Sequence, residues 1–277
     1  MSVNIYLAHR NSTRFFEQQT ILIRQFFKSK NPIQIYGYVD GSNAEIKKNI
    51  ANAWESLGVI PIDIPQKIQN IDRNTANASV SFGLAFQYVY ETYILQTDNV
   101  CICMENDIMP LNELNIDTVV GDYEIVGEIR FNAQFLPQRL LMFWLGFIIF
   151  NNPKMTDRKM WRAESKPVIS RNNGNTYEID CGGQSYYWIT EKQRNIRQIK
   201  TKGDENYNAY FSSYCTPHNI THDKHILPSI LQKNYYPNYR VLIYEEDWFV
   251  HLEQMGKKQD VQKQQWWNMC YANIIAQ

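Results

Sequence analysis

The stretch Val100-Cys101-Ile102-Cys103-Met104-Glu105-Asn106-Asp107-Ile108-Met109-Pro110 constrains the fold of this chain more than any other. Residues 100–104 are all apolar, with Gln96-Thr97-Asp98-Asn99 before them and Pro110 after. That is the pattern of a short strand buried on both faces at the centre of a parallel sheet. Glu105 and Asp107 then fall at its carboxyl end. Open α/β sheets bind ligands outside the carboxyl ends of their strands, and two hard oxygen ligands there suit one Mg²⁺ or Mn²⁺ carrying a diphosphate. A solvated turn or a helix cap uses the same residue types, so the surroundings decide between these readings.

The segments before this run alternate. Residues 3–8 read as a strand, and residues 13–28, apolar at 15, 16, 22, 23, 26 and 27, as an amphipathic helix capped by Ser12 or Thr13. Residues 33–39 read as a second strand ending in the turn sequence Asp40-Gly41-Ser42, and 43–57 as a helix stopped by Gly58. Residues 59–64 make a third strand, and 76–95 a long apolar helix leading into the strand at 100–104. A β-α-β-α-β order of this kind predicts right-handed crossovers and loops gathered at one rim of a sheet.

Beyond Pro110 the alternation lapses. Strands are expected at 123–129 and 143–150, loop-rich sequence at 153–177, and a helix from Gln184 or Ser185. Asp180-Cys181-Gly182-Gly183 precedes that helix. The two glycines are expected to leave backbone N–H groups open for a hydroxyl or phosphate oxygen, with Asp180 a candidate general base; a plain turn with a capping Asp is the alternative. Residues 201–239 are polar, Tyr-rich and irregular; 240–244 reads as a final strand, 248–252 follows it, and 261–275 reads as an amphipathic closing helix.

Composition narrows the function classes. At 277 residues, 44% hydrophobic and 20% charged, the chain is long enough for one large folded domain. Lys plus Arg and Asp plus Glu are 28 each, so no overall charge points to nucleic acid or an anionic membrane. The longest apolar stretch, residues 140–150, is too short for a membrane span, and the first residues carry no basic leader. Five cysteines without a regular framework, two of them on one strand face, lead us to expect reduced thiols in the cytoplasm. The 18 Tyr and 7 Trp suit a core, and also suit sugar and base faces at a site mouth.

The segment Met104-Glu105-Asn106-Asp107-Ile108-Met109-Pro110 resembles the hydrophobic-D-x-D-hydrophobic-x-P segment of GT-A-fold glycosyltransferases. Trp248-Phe249-Val250-His251-Leu252-Glu253-Gln254-Met255-Gly256-Lys257 is similar to the aromatic-apolar-His ending of that family. Glu in the first acidic place departs from the pattern while keeping a carboxylate. The resemblance implies an α/β, GT-A-like (Rossmann-like) mixed central sheet flanked by helices, with a nucleotide-sugar half at 1–120 and an acceptor half at 121–277. It further implies Mn²⁺ or Mg²⁺ held by Glu105, Asp107 and His251, and a nucleoside-diphosphate sugar as donor. Ala8, His9, Arg10 and Asp40 would grip base and ribose, with Asn106, Gly182 and Gly183 among the donor contacts. The carbohydrate acceptor would lie near Trp144, Asp180 and Trp248.

Other readings stand beside these. His251, between apolar residues, also suits a satisfied core histidine. The run from Cys215 to His225 holds three imidazoles and a thiol, but its spacing matches no common zinc site. Lys192, Arg194, Arg197, Lys200 and Lys202 read as a solvated helix face. At the level of function the alternatives are a nucleotidyltransferase, disfavoured by the absence of glycine in residues 8–14, and a non-catalytic carbohydrate-binding protein on the same fold.

Overall fold

The structure is a computed structural model that describes residues 1–9, 15–39, 44–65, 68, 78–132, 140–203, 215–217, 220–221, 241–245, 247–252 and 261–276. Strand β1 (Val3–His9) is buried along its whole length and is followed by helix α1 (Phe16–Phe26). The helix is shorter than its apolar pattern predicts. Phe15 stands in the left-handed region at φ 66°, and Phe27–Lys28 leave the helix to form β2, which pairs with β7 (Leu114–Asn115). The expected cap at Ser12 or Thr13 lies outside the described residues. Next come β3 (Ile33–Val39), α2 (Ala44–Ser56) and β4 (Ile60–Ile62), then α3 (Ala78–Val89), whose end continues as a π-helical turn over Tyr90–Ile94.

Strand β5 (Val100–Glu105) pairs parallel with β1 on one side and antiparallel with β9 (Leu141–Asn151) on the other. The apolar run alone suggests a parallel setting, but β8 (Ile125–Asn132) and β9 pair antiparallel and β9 comes back along β5, which gives the mixed sheet that the resemblance implies. The resulting sheet is mixed, eight-stranded among the described residues, in the order β12-β8-β9-β5-β1-β3-β4. Here β12 is Ile196–Gln198, and β14 (Cys215–Pro217) pairs with β8 outside that path.

The apolar run follows from the layering. Cys101 and Cys103 face a cluster built on α3, with Phe86, Tyr90 and Phe150; Ile102 and Met104 face the opposite cluster, with Leu7, Phe16 and Phe147. A strand covered on both faces needs side chains that are apolar throughout. Ile102 is 0% and Met104 1% exposed, and each such side chain contributes about 1.5–3 kcal/mol on burial.

After Glu105 the chain changes sheets. Strand β6 (Ile108–Pro110) belongs to a second sheet, ordered β15-β13-β16-β17-β6, with β13 at Thr201–Gly203, β15 at Ile220–Thr221, β16 at Val241–Tyr244 and β17 at Phe249–Leu252. Asn106 and Asp107 form the turn between the two sheets. Of the remaining elements, α4 (Ile116–Val120) precedes β8, β10 (Val168–Ile169) and β11 (Thr176–Tyr177) make a surface hairpin, and α5 (Ser185–Glu191) packs near β9. The closing helix α6 (Val261–Ile275) buries Trp266, Trp267, Cys270 and Ile274 against Leu22, Met109 and Val250. Its Trp267 indole N–H donates to Gln18 Oε1 at 2.6 Å, fastening the closing helix to α1. No helix among the described residues is long and apolar enough to cross a membrane.

Candidate metal centre at the junction of the two sheets

Glu105 ends β5 and Asp107 lies in the turn after it, at the rim where the parallel strands β1 and β5 end. Strand β17 runs antiparallel to β6, with His251 opposite Ile108, so the imidazole arrives one residue from Asp107. One ligand atom from each of Glu105, Asp107 and His251 lies within 4.8 Å of the others, and His251 Nε2 is 3.4 Å from Asp107 Oδ1. That Oδ1 is buried and accepts no hydrogen bond among the described residues. A buried oxygen without a hydrogen bond costs about 1–3 kcal/mol, which a bound cation would offset. Two carboxylates and one imidazole form a donor set that fits Mn²⁺ or Mg²⁺.

A wall of rings and one buried ion pair backs the imidazole. The Trp144 ring lies 4.8 Å from His251, and it stacks on Tyr244 at 5.4 Å with planes 3° apart. The Arg130 guanidinium lies 4.5 Å from the Trp144 ring centre, and its Nε donates to Glu128 Oε1 at 2.7 Å. Glu128 and Arg130 are 1% and 5% exposed, so the ion pair is buried. A register shift aims the tryptophan. The step from Gly127 to Ile129 on β8 is matched by the longer step from Ile148 to Phe143 on β9, leaving surplus residues on β9. Bulges of this kind redirect side chains. Trp144 then folds back over Gly146, where a Cβ would come 1.9 Å from the indole Cζ2; only glycine admits that approach.

The other expected site residues divide. Ala8 is the registered neighbour of Glu105 across the β1–β5 pair. Asn106 lies in the acidic turn itself. Arg10 and Asp40 lie outside the described residues. His9 departs from its expectation: its ring, 1% exposed, packs edge-on to Phe16 and Trp54, so the imidazole is buried in the core rather than open to a ligand. Burial lowers its pKa to about 4, although the hydrogen bond to Gln19 and the charge of Asp107 act in the opposite direction.

The double glycine also differs from expectation. Gly182 N–H donates to Ala163 O and Gly183 N–H to Asp180 O, so both are occupied. Gly182, at φ 85°, is needed because a Cβ would meet Phe143 O at 2.1 Å. Asp180 is exposed, and its Oδ1 accepts from Cys181 N–H at 2.7 Å. Trp248 is 4% exposed with Arg197 over its ring at 5.4 Å, a core position that presents no face to an acceptor. The basic cluster is not a helix face. Arg197 sits in β12 and pairs with Glu245, while the Arg194 side chain, 1% exposed, lies over Trp188 and holds Thr156 and Asp157. In the Cys215–His225 run, all three histidines lie outside the described residues. Cys101, Cys103 and Cys270 are buried free thiols, and burial pushes the Cys101 thiol up to about 12, which leaves it no nucleophilic role.

Sequence reasoning missed Gln19, Glu128, Arg130 and Tyr244. Three of them carried a signal: Gln19 interrupts the apolar stripe of α1, and Glu128 and Arg130 interrupt an apolar strand.

No protein-family model matches the sequence, and no curated protein matches it. Solved structures do. A crystal structure of the galactosyltransferase LgtC in complex with donor and acceptor sugar analogs is 11% identical at a TM-score of 0.52, covering 97% of this chain and 95% of that one. A structure of an active-site mutant of LgtC is 12% identical at a TM-score of 0.50, covering 99% and 95%. Mixed sheet, acidic turn at the strand end and whole-chain superposition agree: this chain has the GT-A fold of glycosyltransferases.

Proposed function

We propose that this protein is a metal-dependent glycosyltransferase that moves a sugar from a nucleoside-diphosphate sugar to a glycan or other hydroxyl acceptor. The observation that carries this reading is the convergence of Glu105, Asp107 and His251 within 4.8 Å at the strand-end rim. Breaking a sugar–phosphate bond leaves negative charge on the departing diphosphate, and a Mn²⁺ or Mg²⁺ at this rim would supply the countercharge. Glu105 and Asp107 would hold the cation through carboxylate oxygens and His251 through its neutral imidazole. Trp144 and Tyr244 would keep water from the His251 side, and small Ala8 would let the donor approach beside Glu105. Residues 1–120 would bind the donor and 121–277 the acceptor, whose attacking hydroxyl would lose its proton to Asp180 in an inverting transfer.

The test is thermal unfolding with UDP-, GDP-, CMP- and dTDP-linked sugars, with and without Mn²⁺. A donor at 100 times its dissociation constant adds about 2.7 kcal/mol of stability. Stabilisation that needs Mn²⁺, followed by sugar transfer to an acceptor, supports the reading. A silent screen ends it. Binding without turnover favours a carbohydrate-binding protein, and pyrophosphate release from a nucleoside triphosphate favours a nucleotidyltransferase.

A further inference from the structure

The acidic turn hangs on one buried glutamine. Gln19, on α1, is 0% exposed, and its Nε2 donates to Glu105 O at 2.7 Å and to Ile108 O at 2.9 Å. These are the two carbonyls that bracket Asn106 and Asp107, where the chain leaves one sheet and enters the other. With both amide hydrogens committed, Gln19 Oε1 is fixed as an acceptor facing His9 Nε2 at 3.2 Å. The proton of the neutral His9 ring therefore sits on Nε2, and the ring is itself held by Phe16 and Trp54. A chain of fixed groups runs from the aromatic core through His9 and Gln19 to the turn.

We propose that Gln19, oriented by His9, is a positioning residue that sets the Glu105–Ile108 turn so that the two carboxylates converge on His251. The inference rests on reading that turn as a metal site. Neither side chain touches the cation; both act through the backbone on which its ligands are mounted. Outer partners that orient ligands govern metal affinity by about 10–100-fold.

The test compares metal-free wild type with Gln19→Met, which keeps the length and removes both donors, and His9→Phe, which keeps the ring contacts and removes the Nε2 proton. Hydrogen exchange over residues 105–110 reads the turn, titration with Mn²⁺ alone reads the ligands, and melting temperature reads the fold. We expect exchange about tenfold faster in 105–110, with β1 and β3 unchanged, and Mn²⁺ affinity about tenfold weaker for Gln19→Met. His9→Phe should shift both in the same direction by less, and it carries the test should Gln19→Met fail to fold. Wild-type exchange in 105–110 for the folded variants overturns the proposal, as does faster exchange spread evenly over the molecule. If wild type binds no Mn²⁺ while 105–110 still loosens on substitution, the metal reading falls and the hold of Gln19 on the turn stands.

Discussion

His251 Nε2 stands 3.4 Å from Asp107 Oδ1, although the two residues come from opposite halves of the chain. The antiparallel pairing of β6 with β17 brings them together, by setting His251 opposite Ile108. Most of what can be tested about this protein follows from that meeting.

Asp107→Ala should abolish Mn²⁺-dependent donor binding. Because Oδ1 is buried without a hydrogen bond among the described residues, its removal should leave metal-free stability within about 1 kcal/mol of wild type. Titration calorimetry with donor and Mn²⁺ decides the point, and wild-type affinity in the variant would falsify the metal assignment.

His251→Ala should weaken Mn²⁺ binding less than Asp107→Ala does, since the site keeps its anionic ligands. The lost contact with Trp144 should cost roughly 1–3 kcal/mol of stability. Denaturant unfolding and a metal titration read the two effects apart. A stability loss with unchanged metal affinity would make His251 a core residue alone.

Gly146→Ala should displace Trp144, because the new Cβ would lie 1.9 Å from the indole. Overpacking of this kind costs about 1–3 kcal/mol. Weaker Mn²⁺ binding should accompany a shifted tryptophan emission. Wild-type values of both would show that the indole can leave Gly146 without disturbing His251.

Acid should destabilise the protein partly through His9. Its folded pKa, about 4, lies below the unfolded value of 6.5, so as pH falls the unfolded chain takes up the proton first. The resulting loss begins near pH 6.5, grows to about 3 kcal/mol near pH 4 and then levels off. Glu124 adds a further loss at lower pH. Burial alone would raise its pKa, but hydrogen bonds from Thr156 and Asn195 and the charge of Arg194 outweigh it and hold the group below the usual carboxylate range. Equilibrium unfolding between pH 7 and pH 4 should be flatter for His9→Phe than for wild type; parallel curves would remove His9 as the cause.

Asp180→Asn should lower kcat by ~10²–10⁴ with donor binding preserved if Asp180 is the base. The asparagine keeps the Oδ1 that accepts from Cys181 N–H, so the melting temperature should not move. Near-normal turnover would leave Asp180 only its turn.

Local patterns carried much of this architecture. The all-apolar run at 100–104 announced a strand covered on both faces, and β3 and α6 have the bounds that their periodicity predicts. Glu105 and Asp107 could be placed at a strand end because strand, turn and proline lie within one short window. The 192–202 cluster misled because charge spacing alone does not distinguish a solvated helix from an extended edge whose arginines tie neighbouring loops.

What only the tertiary structure decided is how distant segments meet. Nothing local fixes that β9 lies antiparallel to β5, or that surplus residues on β9 swing Trp144 over Gly146 towards His251. Gln19 was visible as a polar residue within an apolar pattern, yet its partners are the His9 ring and the backbone of a turn far along the chain. Periodicity reports which face of an element is buried, because burial is a property of each residue. Register, and with it the identity of the neighbour, is a property of pairs, and it exists only once the sheets have formed.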